Sequence, residues 1–300
     1  MPITIHFVRH AQGFHNLGIQ YHSLRDPALT PLGENQCAIL RSKLQDTYGI
    51  DATAISLVTA SPLTRTIHTA ALAFADTLGK GTETKILALP TAQETSSFPC
   101  DTGSPLPILK ATCEKANWPV DLSRVHEDWT DKSPSSPYAP TNTKLAARAR
   151  ETRQILLHEA KKLQQQNTKQ QDIQIVLVTH GGLLHYLTED WEDANRGMGT
   201  GWQNTEVRSY NFVDESESTN AHLVETSKSR AVRGKSNPMI PVGSGRQEEL
   251  FRAAMADWEG QGLETGLSIE RQHQEMMVGE DNYLERTMSQ VSQGEIEVAG

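Results

Sequence analysis

Two short strand-like runs constrain this chain more than any other feature, because each stops abruptly at a polar pair that ends in histidine. Ile3 to Val8 is followed by Arg9-His10, and Ile173 to Val178 by Thr179-His180-Gly181-Gly182. Ile3 to Val8 reads as a short buried strand, and the apolar, largely β-branched Ile173 to Val178 has the pattern of a strand buried on both faces of a parallel sheet. Between and after these runs, strand and helix signals alternate. Ile55 to Thr59 and a short piece near Lys85 to Leu87 read as further strands, so the strand before His180 is the fourth. Thr30-Pro31 and Ser61-Pro62 each read as an N-cap followed by proline at the first helical position. The helices they open carry Cys37, Leu40 and Leu44, and Leu63, Ile67, Ala70, Ala71 and Phe74, at helical spacing. Ile108 to Asn117 is a shorter helical pattern, and Thr143 to about Gln166 is the longest. Val207 to Val213 and His222 to Val224 alternate as half-buried or edge strands. The alternation predicts an α/β fold, a three-layer α/β/α sandwich around a mostly parallel central sheet.

The pattern occupies residues 1–226 and then changes. Residues 227–300 turn to Gly, Ser, Gln and Glu with scattered Met, and nothing there resembles a second core. They read as a polar C-terminal extension, partly helical over Glu248 to Trp258 and partly disordered. Twenty-eight Lys and Arg against 37 Asp and Glu give a net charge of −9. Nucleic acid and anionic membranes are therefore not expected as partners, since either calls for a basic surplus or a basic run. Three cysteines, Cys37, Cys100 and Cys113, have no CxxC spacing, and the N-terminus lacks a leader pattern, so a cytoplasmic protein without disulfides is expected. Oligomeric state has no mark in the sequence.

The chemistry gathers at strand ends and helix starts. In an open α/β sheet, ligands bind beyond the carboxyl ends of the strands, where the strand order reverses. His10 and His180 reach one crevice if their strands are neighbours. Arg9 lies beside His10, and Arg65 falls in the first turn of the helix after Ser61-Pro62, where free N–H groups already favour an anion. Two arginines and two histidines at one mouth suit a tetrahedral phosphoryl group, whose oxygens match the planar donors of arginine. The loop Leu89 to Pro107 is long for a compact domain, which marks it as functional.

The ordered motifs are Phe7-Val8-Arg9-His10-Ala11 with Asn16, Leu29-Thr30-x-x-Gly33, Ser61-Pro62-Leu63-x-Arg65-x-x-x-Thr69-Ala70, Gln93-Glu94, and Val178-Thr179-His180-Gly181-Gly182. On these residues the chain resembles the histidine phosphatase superfamily, its phosphoglycerate-mutase-like branch of fungal and plant type, over roughly residues 1 to 225. The resemblance implies a phosphoglycerate-mutase-like fold and a phosphatase for a small phosphorylated metabolite. His10 would form a phosphohistidine, Glu94 would donate the proton, and Arg9, Arg65 and His180 would hold the phosphoryl oxygens, with Asn16 and Gly181 contributing to substrate binding. Neither a metal nor a cofactor is required by this reading. Ala11 stands where the family has glycine, and Glu94 is followed by Thr95-Ser96-Ser97-Phe98 in place of the mutases' Arg-His-Tyr-Gly. Phosphatase activity is thus expected ahead of a phosphoglycerate-type mutase or a catalytically weak phosphate-binding scaffold. Asp101, in Phe98-Pro99-Cys100-Asp101-Thr102-Gly103, competes with Glu94 for the acid role. Substrate selectivity is expected from the Leu89 to Pro107 loop, the turn region around Tyr138 and the C-terminal extension.

Overall fold

The two histidine-ended runs form neighbouring strands at the centre of the sheet. A computed structural model describes residues 2–79, 84–166 and 171–275. Within them, strands β1 (Ile3–Arg9), β2 (Ile55–Ala60), β3 (Ile86–Ala88), β4 (Val120–Asp121), β5 (Ile173–Thr179), β6 (Val207–Phe212) and β7 (Leu223–Glu225) form one sheet in the order β4-β3-β2-β5-β1-β6-β7. β1 pairs in parallel with β5, β5 with β2, β2 with β3 and β3 with β4, while β6 and β7 add in antiparallel fashion. The register that sets Arg9 opposite Thr179 carries the two following residues, His10 and His180, to the same edge.

The helices that surround these strands include α1 (Pro31–Lys43), α2 (Thr64–Ala73), α3 (Ala75–Leu78), α4 (Leu106–Lys115), α5 (Asn142–Gln166), α6 (Gly181–Thr188), α7 (Ser227–Val232) and α8 (Gly245–Gly260), and residues 266–275 are helical as well. Strand residues point to alternate faces. Ile3, Ile5 and Phe7 of β1 therefore pack with Leu145, Leu156 and Leu183 of α5 and α6, whereas Val8 packs on the opposite face with Leu40 of α1 and Ile67 of α2. This is the three-layer α/β/α sandwich with a mostly parallel sheet.

Local details differ from the sequence expectation in two places. Val120–Asp121 is a strand of only two residues with no periodicity to announce it, and it makes the strand before His180 the fifth, not the fourth. Thr30 caps α1 as expected, its hydroxyl accepting from Gly33 N–H at 3.0 Å. α2, by contrast, starts at Thr64 with Leu63 at its N-cap. Ser61 is thereby freed from capping for a different partner.

The described residues after 226 pack onto the core of the sandwich and complete one of its faces. Ala254, Met255 and Trp258 of α8 are buried beside Trp191 and Leu187, and Trp258 Nε1 donates to the Ala194 carbonyl at 2.8 Å. A carboxylate–guanidinium network fastens the approach to this helix: Arg230 and Arg233 pair with Glu225, and Lys235 pairs with Glu192 and Asp193. The section of the extension beyond residue 275 lies outside the described residues. No helix among the described residues is long and apolar enough to cross a membrane.

Candidate active site

His10 and His180 follow adjacent strands, and their ring centroids lie 5.2 Å apart. His10 Nδ1 donates to the Ala11 carbonyl at 2.7 Å, which leaves the lone pair on Nε2. That lone pair accepts from Arg65 Nε at 3.3 Å. The same guanidinium reaches His180 Nδ1 at 3.1 Å, the Cys100 carbonyl at 2.6 Å and Asp101 Oδ1 at 2.9 Å. Since arginine only donates, both imidazoles must present an acceptor to it, and both are neutral. Burial first, and the Arg65 charge second, hold both rings well below the ordinary 6.5. His180 Nε2 completes its bonding with the Ser61 hydroxyl at 2.9 Å. Asn204 Nδ2 donates to the His10 carbonyl at 2.9 Å and fixes the end of β1 from the far side.

Arg65 is the hub, fully buried and paired with a carboxylate. Removing the cation strands Asp101 in a dry environment, and breaking a buried pair from one side is strongly destabilising. Arg65→Met is expected to lower unfolding free energy by about 3 kcal/mol. Adding Asp101→Asn should recover part of that loss in urea melts. A single variant as stable as wild type would show that the pair contributes nothing.

Glu94 comes from the long loop after β3 and meets the start of α6. Its carboxylate accepts from Thr95 N at 2.9 Å, Leu183 N at 3.0 Å and Gly182 N at 3.2 Å. These bonds favour the anion, but burial and the neighbouring Asp101 outweigh them and push the carboxyl up from 4.5. From behind, the buried Arg148 of α5 donates to the carbonyls of Thr91, Gln93 and Glu94, and Lys132 donates to the Glu94 carbonyl at 3.4 Å. Asp101 has both oxygens engaged, one by Arg65 and the other by the Ser96 hydroxyl at 2.5 Å. It is placed as the ion-pair partner of Arg65, while Glu94 is held only by backbone N–H groups.

Arg9, His10, Asn16, Glu94 and Asp101 line one cleft of about 360 Å³. Arg9 Nη1 is bound to the Trp202 carbonyl, but Arg9 Nε is buried with no partner, as is Nδ1 of His15, whose ring centroid lies 5.3 Å from that of His10. Asn16 Oδ1 is taken by Gly13 N–H at 3.0 Å, so its amide nitrogen is the atom it can offer an anion. Gly181 and Gly182 follow β5 and His180, where a tight strand-to-helix turn would be the ordinary reason for glycine. Neither has a positive φ, and closeness is the reason instead: a Cβ on Gly181 would lie 2.1 Å from Thr200 Oγ1, and one on Gly182 would lie 2.8 Å from Glu94 Oε1. Tyr138 does not line the cleft; half-buried, it packs against the core on the α1 and α2 side of the sheet.

Residues 5–223 match the family profile of the histidine phosphatase superfamily (branch 1). The chain belongs to that superfamily. Two Arabidopsis thaliana relatives are similar to this histidine phosphatase-type chain. One, Phosphoglycerate mutase-like protein 1, is 29% identical over 234 residues, covering 71% of this chain and 82% of the relative. The other, Phosphoglycerate mutase-like protein, is 27% identical over 232 residues, covering 70% and 84%. Among solved structures, the ecdysone phosphate phosphatase from Bombix mori in complex with tungstate aligns with TM-score 0.49 and 16% identity over 81% of this chain and 97% of its own. A mycobacterial glucosyl-3-phosphoglycerate phosphatase aligns with TM-score 0.45 and 19% identity over 75% and 97%.

Several site residues escaped the sequence. Ser61 looked like a helix cap because serine before proline is the commonest start signal, and only its distance to His180 shows otherwise. Arg148 lies on a helix face among other arginines, with no motif around it. Trp258, Gln261, Leu263 and Glu264 line the cleft although they lie beyond the family-matched residues.

Proposed function

We propose that this histidine phosphatase superfamily member is a cytoplasmic phosphatase that hydrolyses a phosphate monoester of a small metabolite through a phosphohistidine at His10. The observation that carries the reading is the fixed tautomer of His10, a neutral imidazole with its Nε2 lone pair aimed at a buried arginine. An incoming phosphoryl group would take over the Arg65 donors and the unpartnered Arg9 Nε, which frees Nε2 to attack phosphorus. The new N–P bond forms as the ester P–O bond breaks, and Glu94 passes its proton to the leaving oxygen. Water then attacks the phosphohistidine, its proton goes to the Glu94 carboxylate, the N–P bond breaks and inorganic phosphate leaves. The arginine and histidine donors stabilise charge on the transferring oxygens in a water-poor setting.

Trapping tests the reading directly. Denaturing quench during turnover of an aryl phosphate should capture a phosphoenzyme that is acid-labile and base-stable; its absence, together with absence of turnover, would refute a phosphohistidine route. Phosphate release without isomerisation of phosphoglycerate would separate a phosphatase from a mutase.

Glu94→Gln is expected to slow alkyl phosphates by about 10² to 10⁴-fold and para-nitrophenyl phosphate much less in the first step, because nitrophenolate needs no proton. The pH sign follows from the raised carboxyl. Glu94 is protonated at low pH and loses activity as the acid when pH climbs through its elevated value, so the alkaline limb for alkyl phosphates should vanish in the variant. Equal slowing of both ester types would assign the proton elsewhere.

A further inference from the structure

The family-matched residues end at 223, yet the outer wall of the cleft is built by residues 258–264. This segment is tied to the mouth on three sides. Gln261 Oε1 accepts from Gly199 N at 2.6 Å, and Asp257 Oδ2 accepts from Gly197 N at 3.2 Å, which fixes the loop carrying Met198. Glu264 accepts from Ser97 N and, at 2.9 Å, from the Ser97 hydroxyl, which fixes the loop carrying Glu94 and Phe98. A Cβ on Gly262 would stand 3.4 Å from Ile19 Cδ1, so the third contact is the turn after Asn16.

The two ends of the cleft differ in chemistry. The inner end holds Arg9 and the histidines. The outer end presents Ile19, Phe98, Met198, Trp258 and Leu263, with Ile19 and Met198 largely open to solvent. Apolar side chains held open at the rim of a cleft mark a surface that a ligand covers. Among the described residues that line the cleft, Arg9 is the one Lys or Arg, whereas Glu94, Asp101 and Glu264 are acidic. Lys132 is turned to the Glu94 carbonyl and does not line the space. A carboxylate on the leaving alcohol would find no cation at the outer end and would face Glu264.

Resting on the phosphatase reading above, we propose that the cleft accepts phosphate monoesters whose alcohol is neutral or cationic and carries apolar surface, and that residues 258–264 set this preference. Esters with an anionic alcohol, phosphoglycerate among them, are the disfavoured class.

Three para-substituted phenyl phosphates test this with matched leaving groups: propyl, 2-aminoethyl and 2-carboxyethyl, each insulated from the phenol by methylenes. The propyl and aminoethyl esters are expected to exceed the carboxyethyl ester in kcat/KM by about tenfold at low ionic strength. Glu264→Gln should narrow the carboxyethyl deficit, and Leu263→Ser should lower kcat/KM for the propyl ester more than for the aminoethyl ester. A carboxyethyl ester used as well as the others by the wild-type chain overturns the proposal and leaves the phosphatase reading standing. Failure to hydrolyse all three and para-nitrophenyl phosphate as well removes both.

Discussion

His10→Ala is expected to reduce kcat/KM for every phosphate monoester by about 10⁴-fold or more and to eliminate the trapped phosphoenzyme. The size of the effect follows from what the imidazole alone supplies. Its Nδ1–H is fixed on the Ala11 carbonyl, and its Nε2 is the acceptor pointed at Arg65. Burial keeps the ring unprotonated, so the whole population is ready to attack at neutral pH. Alanine leaves the clamp but removes the atom that would form the N–P bond in the proposed route. His10→Asn provides a check on folding, since its amide can still donate to the Ala11 carbonyl while lacking a nucleophilic nitrogen. Both variants should lose activity at unchanged far-UV circular dichroism. Turnover above about a hundredth of wild type would place the nucleophile elsewhere, with His15, 5.3 Å away, the first residue to replace.

Acid is expected to destabilise this protein steeply between about pH 6.5 and pH 4.5, above the range where ordinary carboxylates titrate. Five buried histidines, His6, His10, His15, His180 and His185, are all depressed by burial. The unfolded chain takes up their protons near 6.5 and the native chain does not, so protons favour unfolding throughout the interval. The stability is fully present above 6.5 and is lost as pH falls toward the native values. His6 illustrates the scale. It is lowered to about 4 by burial, against the opposing bond to Gln174. That shift alone corresponds to about 3 kcal/mol of stability lost on acidification. His10, His15, His180 and His185 act in the same sense. Glu94, raised in the native state, acts in the opposite sense over part of the interval, but it is one group against five. Urea unfolding at about pH 7 and about pH 5 measures the difference. Lys132, lowered to about 7, is partly titrated at the upper pH and adds a smaller loss in the same sense. Equal stability at both values would mean that the imidazoles are solvated or paired with anions in solution.

Much of the candidate site was legible because phosphate chemistry puts strong local signals in the chain. A strand that stops at Arg9-His10, and another at Thr179-His180, are visible without coordinates, as is an arginine one turn into a helix. Glu94 and Asp101 were both visible, but their roles were not separable. Their sorting depends on partners 36 and 88 positions away in sequence, Arg65 for Asp101 and Gly182 for Glu94. Gly181 and Gly182 were legible as special positions, while the reason, close approach of Thr200 and Glu94, was not. The C-terminal extension was expected to contribute to selectivity, but that Trp258, Leu263 and Glu264 form the wall was not readable, because a polar segment with one tryptophan looks the same whether it docks or trails in solvent.

By itself, the sequence determined the secondary structure alternation, the layer order and the residue types able to hold and attack a phosphoryl group, because those depend on periodicity and on side chains next to strand ends. Tertiary structure alone decided which imidazole nitrogen is free, which carboxylate is spent on Arg65, and what covers the outer cleft. Each of these is a contact between segments far apart in the chain, where a hydrogen bond of about 3 Å is made or missed by packing and leaves no local pattern behind.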